Sequence, residues 1–236
     1  MAVLVEMTGV GDMGYSFVEM AGRARINEVS RRMSCHSHIC HFQGTYQGER
    51  YDENVEEHFR RPECNVESFS CLLTGRLSSD TPVRKTLQTD ENSNILMYMT
   101  GHGGDEFFKF HDTQEISSQD MGYLLRDMYA KNRYEEALLV VDTCQASTFS
   151  NHIDVPGVYT LTSSVQGENS YAHDTNVDLA MAVSDRFTHF LVEYLQRKGE
   201  RRKKKGTEVG EGFLSPRPGP QLRQFRDLDE GSLPIL

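Results

Sequence analysis

No stretch of this 236-residue sequence is apolar for long enough to cross a bilayer as a helix, which takes about 20 such residues. Positive charge is also scarce: 25 Lys and Arg against 35 Asp and Glu leave a formal net charge of -10. General nucleic-acid binding wants the opposite balance, because it is driven by cations that neutralise phosphates. The five cysteines (Cys35, Cys40, Cys64, Cys71 and Cys144) are odd in number and do not form the framework of a small secreted scaffold. The start, MAVLVEMTGVGDMGYSF, lacks the basic segment and sustained apolar core of a signal peptide. Taken at face value, the chain reads as soluble and cytosolic.

Ligand-binding spacings are missing too. Gly9, Gly11 and Gly14 do not have the spacing of a phosphate loop, and no strong strand or amphipathic helix flanks them. Cys35, His38, Cys40 and His41 are dense in donors but miss the paired spacings of a zinc site, so they read as a chance cluster. The acidic run containing Asp52, Glu53, Glu56 and Glu57 has no EF-hand pattern and reads as a solvated segment. An apolar share of 37% and a mean hydropathy of -0.56 predict a real core accompanied by much unpacked sequence. The end of the chain, basic at Arg201–Lys205 and then rich in Gly and Pro, reads as a disordered tail.

What remains is a set of elements centred on residues 94–144. Ile95–Met99 and Ala137–Val141 are short apolar runs that fit buried strands. The helix-length segment between them predicts a parallel pair joined by a crossover. Val66, Phe69, Leu72 and Leu73 have helical spacing, with Asn65 placed to cap the start and Gly75 the end. Phe107–Phe110 reads as a hairpin arm. Ser117 and Asp120 form a capping box for a helix whose apolar face is Met121, Leu124, Leu125 and Met128. Val158–Leu161 follows a Pro-Gly turn as a third strand, and the periodicity of Ala180, Val183, Phe187, Phe190, Leu191 and Tyr194 predicts a helix over residues 176–198.

The first strand breaks at Thr100-Gly101 and delivers His102; the second breaks at Asp142-Thr143 and delivers Cys144. Parallel neighbours present both at their carboxyl ends, where open α/β sheets place their sites. A His and a Cys there are the parts of a general base and a thiolate nucleophile. A thiol needs a cation or a helix N-terminus to ionise near neutrality, and Gln145-Ala146-Ser147 reads as a helix start. The amides of Gly103 and Cys144 are placed to form an oxyanion hole. Singly, a Cys is commonly a small buried hydrophobe and a His beside glycine a turn residue. Their pairing at corresponding strand ends favours catalysis.

Thr100-Gly-His102-Gly-Gly104, Asp142-Thr-Cys144-Gln145 and Thr162-Ser-Ser164 with Gly167-Glu-Asn-Ser170 resemble the motifs of the legumain-like cysteine peptidases. Within that clan the chain is most similar to the catalytic subunits that transfer proteins to GPI anchors. Leu73-Thr-Gly-Arg76, Asn92-Ser-Asn-Ile-Leu-Met-Tyr98, Tyr134-Glu135 and Asp185-Arg-Phe-Thr188 carry that closer likeness. The resemblance implies a caspase/legumain-like α/β fold, a sheet of mainly parallel strands flanked by helices, with the amino-terminal part truncated. It implies His102 as base and Cys144 as nucleophile. The reaction it implies is acyl transfer: Cys144 would attack the carbonyl at the attachment site, the carboxy-terminal signal peptide would leave, and the ethanolamine amine of a GPI lipid would resolve the thioester.

Ser163, Ser164 and Glu168 occupy positions like those of the substrate-pocket wall. Glu56 matches one ligand of a structural calcium, a second expected carboxylate being replaced by His58; the chemistry itself needs no cofactor. Partners implied are the other subunits of a membrane-embedded transamidase complex, the precursor's carboxy-terminal signal and the GPI lipid, on the lumenal side of the endoplasmic reticulum. The alternatives are an Asn-specific legumain-type endopeptidase and a truncated, non-catalytic interaction protein. Nothing in residues 1–43 matches the family's first strand. The expected organisation is a divergent leader over 1–49, a partial catalytic domain over 50–198 and a tail over 199–236.

Overall fold

The structure, a computed structural model, describes residues 2–9, 16–21, 65–110, 114–176 and 181–191, with Phe59, Glu63, Glu193, Tyr194, Arg197 and residues 223–224 besides. The chain divides into two compact units, one comprising Met1–Arg23, Glu56–Asn169 and Pro220–Phe225, the other Ala24–Val55, Ser170–Gly219 and Arg226–Leu236.

The first unit is built on a sheet. Its centre is β3 (Asn94–Thr100) beside β7 (Glu136–Asp142), paired in parallel from Asn94↔Glu136 to Thr100↔Asp142. β8 (Val158–Thr162) joins β7 in parallel, and the short β11 (Arg223–Gln224) joins β8. The three strands expected from the apolar runs are therefore all present and parallel. On the other side lie β1 (Ala2–Gly9), parallel to β3, and β2 (Ser16–Ala21), antiparallel to β1. Here the sequence reading is corrected, since it found no strand in residues 1–43. Ala2–Val5 is too short a run to announce itself by periodicity, whereas β3 offers it an edge to pair with.

Strand alternation sorts the side chains of β3 and β7. Ile95, Met97 and Met99, with Ala137, Leu139 and Val141, enter one hydrophobic cluster. Two helices contribute to that cluster. α1 (Val66–Thr74) buries Phe69, Leu72 and Leu73; the Asn65 side chain accepts from the Ser68 amide, and Gly75 ends the helix at φ 69°. α2 (Ser118–Ala130) buries Met121, Leu125 and Met128 behind the expected Ser117/Asp120 capping box. Each fully buried Leu or Met side chain contributes roughly 1.5–3 kcal/mol.

Between β3 and α2 the chain makes a small antiparallel sheet of β4 (Gly103–Gly104), β5 (Phe107–Phe110) and β6 (Gln114–Ser117). Phe108 and Phe110 turn into the core, where Phe110 meets Phe69 at 5.6 Å and Phe108 meets Phe149 at 6.4 Å between ring centroids. The hairpin arm is thus anchored from below. α2 approaches residue 152 so closely that a Cβ on Gly122 would stand 2.3 Å from the His152 carbonyl oxygen.

In the second unit, β9 (Ala172–Asn176) and β10 (Met181–Asp185) form an irregular antiparallel pair, and helical turns run over 186–191. The expected helix over 176–198 is corrected accordingly. A short apolar run such as Met181–Val183 satisfies either period, and pairing with β9 decides it as strand.

Candidate active site

The register of β3 and β7 fixes the site. Thr100 and Asp142 are Cα partners, and His102 and Cys144 each stand two residues beyond them. Adjacent strands lie about 4.8 Å apart, so the two residues emerge side by side at the carboxyl edge. The Gly101 amide donates to the Asp142 carbonyl at 3.1 Å, holding the two departing chains together, and Gly101 takes φ 151°, a conformation open to glycine. His102 is exposed, and Cys144 is a free, half-buried thiol. Among the described residues neither the imidazole nor the thiol has a hydrogen-bond partner, as is common where catalytic contacts tighten only with substrate.

The chain around Cys144 is held on all sides. Thr143 is 1% exposed; its amide donates to Ser163 Oγ at 3.2 Å, and its carbonyl accepts from Ser163 Oγ at 3.2 Å and Ser164 Oγ at 2.7 Å. Gln145, at φ 53°, turns the chain sharply; its amide donates to the Glu168 carbonyl at 2.8 Å and its Oε1 accepts from the Gly167 amide at 3.1 Å. Ala146 and Ser147 donate to Ser164 Oγ and Ser164 O, at 3.0 and 2.9 Å. Ala146–Ser150 is a five-residue 3-10 helix rather than the start of an α-helix. The expected helix N-terminus behind Cys144 is therefore corrected: one short turn aligns too few peptide dipoles to act as a macrodipole.

On the His102 side the bracing is backbone and sparse. The His102 carbonyl accepts from the Lys109 amide at 2.9 Å, which ties the loop to β5. Gly103 is wedged: a Cβ there would lie 2.6 Å from the Phe107 carbonyl oxygen and 2.7 Å from Thr143 Oγ1. Any side chain at this position would push the two loops apart. Thr148 spans between them. Its hydroxyl accepts from the Glu106 amide at 2.7 Å and lies within donating reach of the carbonyls of Gly104 and Gln145, at 3.3 and 2.8 Å. The Glu106 carboxylate accepts from the Asn151 amide at 2.8 Å and faces His152 Nε2 at 3.4 Å. The Asn151 hydrogen bond first, and the neighbouring His152 second, hold that carboxyl below its ordinary range.

Of the residues expected to face substrate, Ser163 and Ser164 turn their hydroxyls inward onto Thr143, and Glu168 Oε2 accepts from the Val165 amide at 3.1 Å. All three reach the Cys144 neighbourhood, but as braces of its loop. Thr148 was not singled out by sequence reasoning, since a Thr in a short polar run carries no signal of a tertiary bridge. Glu56 and the Cys35–His41 cluster lie outside the described residues. Among the described residues no group of three or more His, Cys, Asp and Glu could hold a metal ion, and no helix is long and apolar enough to cross a membrane.

A His and a Cys at the carboxyl ends of adjacent parallel strands agree with what the whole sequence matches: the peptidase C13 family, over residues 35–208. The chain belongs to that family. Its α/β sheet is of the caspase/legumain-like kind the motifs implied. Among curated relatives, the GPI-anchor transamidase of Saccharomyces cerevisiae is 45% identical over 147 residues, which cover 62% of this chain and 36% of that protein. The GPI-anchor transamidase of Schizosaccharomyces pombe is 43% identical over 65% of this chain and 40% of its own length. That of Homo sapiens is 39% identical over 62% and 37% respectively. The chain thus spans well under half the length of these relatives.

Proposed function

We propose that this peptidase C13 chain performs thiol acyl transfer in the attachment of GPI anchors to precursor proteins. The reading rests on one observation: His102 and Cys144 stand two residues beyond a register pair in a chain about 40% identical to proteins bearing the GPI-anchor transamidase name. His102 takes the Cys144 proton, and the thiolate attacks the carbonyl at the attachment site of the precursor. The tetrahedral oxyanion is held by the amides of Gly103 and Cys144. The peptide C–N bond breaks, the imidazolium returns its proton to the departing amine, and the carboxy-terminal signal leaves. The thioester is then attacked by the ethanolamine amine of a GPI lipid, His102 removes the ammonium proton, and the C–S bond breaks to restore the thiolate.

On this reading the chain would work on the lumenal side of the endoplasmic reticulum, with further subunits of a membrane-embedded complex to present lipid and precursor. Nothing in the sequence of steps uses a metal. A calcium held with the help of Glu56 would be structural.

Cells lacking the transamidase catalytic subunit provide the test. The full chain should restore surface display of GPI-anchored proteins, and Cys144→Ala should not. Equal restoration by both would refute attack by Cys144. Efficient cutting after Asn in free peptides, without an amine acceptor, would point instead to a legumain-type endopeptidase. Restoration by neither would favour a non-catalytic interaction protein.

A further inference from the structure

The serines expected to touch substrate grip the backbone instead, and what they grip decides where a catalytic donor points. The Thr143 carbonyl and the Cys144 amide belong to one peptide unit, which is planar and trans, so they point to opposite sides of the chain. Ser164 Oγ donates to that carbonyl at 2.7 Å and Ser163 Oγ at 3.2 Å. A carbonyl oxygen has two lone pairs, so both are occupied. Each hydroxyl is itself oriented by an amide it accepts from, Ala146 for Ser164 at 3.0 Å and Thr143 for Ser163 at 3.2 Å. Ser164 is 7% exposed, which leaves water little room to replace it. Fixing the carbonyl toward the end of β8 turns the Cys144 N–H the other way. Among the described residues that N–H has no acceptor. An unpaired donor held beside the nucleophilic sulfur is what a developing oxyanion requires.

We infer that Ser164, assisted by Ser163, is a positioning residue that locks the Thr143–Cys144 peptide plane so that the Cys144 amide faces the oxyanion of the acyl-transfer step. The inference rests on the proposed attack by Cys144. It gives the Thr-Ser-Ser stretch at the end of β8 a role in rate.

The test compares acyl transfer with a reaction of the same sulfur that needs no oxyanion hole. In the full chain, turnover of an attachment-site peptide is measured with hydroxylamine as the amine acceptor, and Cys144 alkylation with iodoacetamide. Ser164→Ala should lower kcat roughly 10- to 100-fold, short of the ~10²–10³ seen when an oxyanion donor is removed outright. KM and the alkylation rate should stay within about twofold, and Ser164→Thr should recover kcat because the hydroxyl is kept. Unchanged kcat in Ser164→Ala, or an alkylation rate falling in step with kcat, would overturn the assignment. Ser163→Ala removes the longer bond and repeats the test at smaller amplitude should Ser164→Ala not fold.

A second reading needs no turnover. The Cys144 N–H residual dipolar coupling should change in Ser164→Ala while couplings in β3 and β7 do not. An unchanged coupling sinks this inference even if the enzyme works. Turnover by Cys144→Ala would sink the proposed chemistry and leave the peptide-plane measurement to stand or fall by itself.

Discussion

The two loops that carry His102 and Cys144 are built differently. The Cys144 loop is fastened from outside it: the side chains of Ser163 and Ser164 and the backbone of the turn at Gly167–Glu168 all bond to residues 143–147. The His102 loop is held mainly by its own backbone, through Gly101 to Asp142 and through Lys109 to His102, and leaves its imidazole exposed. Among the described residues the backbone at Cys144 is therefore held by more bonds than that at His102. That division suits the proposed acyl transfer, in which the sulfur would stay bonded to the acyl group while His102 serves first the leaving amine and then the incoming one.

The comparison can be broken most severely at His102. His102→Gln should lower acyl transfer by about 10²–10⁴-fold, the usual worth of a positioned general base. Its thermal midpoint should not move, because the side chain is exposed and makes no hydrogen bond or ion pair among the described residues. A large loss of stability would show that the base is anchored as firmly as the nucleophile. Gly103→Ala comes next. Its Cβ meets two atoms it cannot displace cheaply, so both activity and stability should fall, the latter by about 1–3 kcal/mol in chemical denaturation. An alanine variant of wild-type stability would mean that the loops separate freely.

Thr148→Val tests the bridge between the loops. It leaves the Glu106 amide without its acceptor and should cost about 1–3 kcal/mol, with kcat falling more than KM rises. If stability falls and kcat does not, the bridge serves the fold alone.

The smallest effect concerns acid. The depressed Glu106 carboxyl contributes stability above the ordinary carboxylate range, and that contribution is lost as pH falls through the depressed value. Asn151→Ala removes the larger cause, so Glu106 should titrate closer to its ordinary range, observable by carboxyl-carbon NMR. The variant's stability should depend less steeply on acid pH. An unchanged titration would assign the shift to His152.

Much of this architecture was legible. Asn65, Gly75, Ser117 and Asp120 are local signals, since a cap is made within a few residues of itself. The apolar runs of β3 and β7 were legible because strands buried on both faces read as continuous, and β8 because a Pro-Gly turn announces it. What escaped was decided by pairing partners. Ala2–Gly9 becomes a strand because β3 offers an edge to pair with, and Met181–Asp185 because β9 does. Thr148 carries no local pattern that reveals a bridge to residues more than 40 positions away.

The sequence by itself placed a His and a Cys at the ends of two apolar strands, since strand period and glycine punctuation are properties of neighbouring residues. Only the tertiary structure decided how that chemistry is aimed. The direction of the Cys144 amide depends on hydroxyls about 20 residues further along, and a peptide plane takes its orientation from whichever groups the fold brings to its carbonyl.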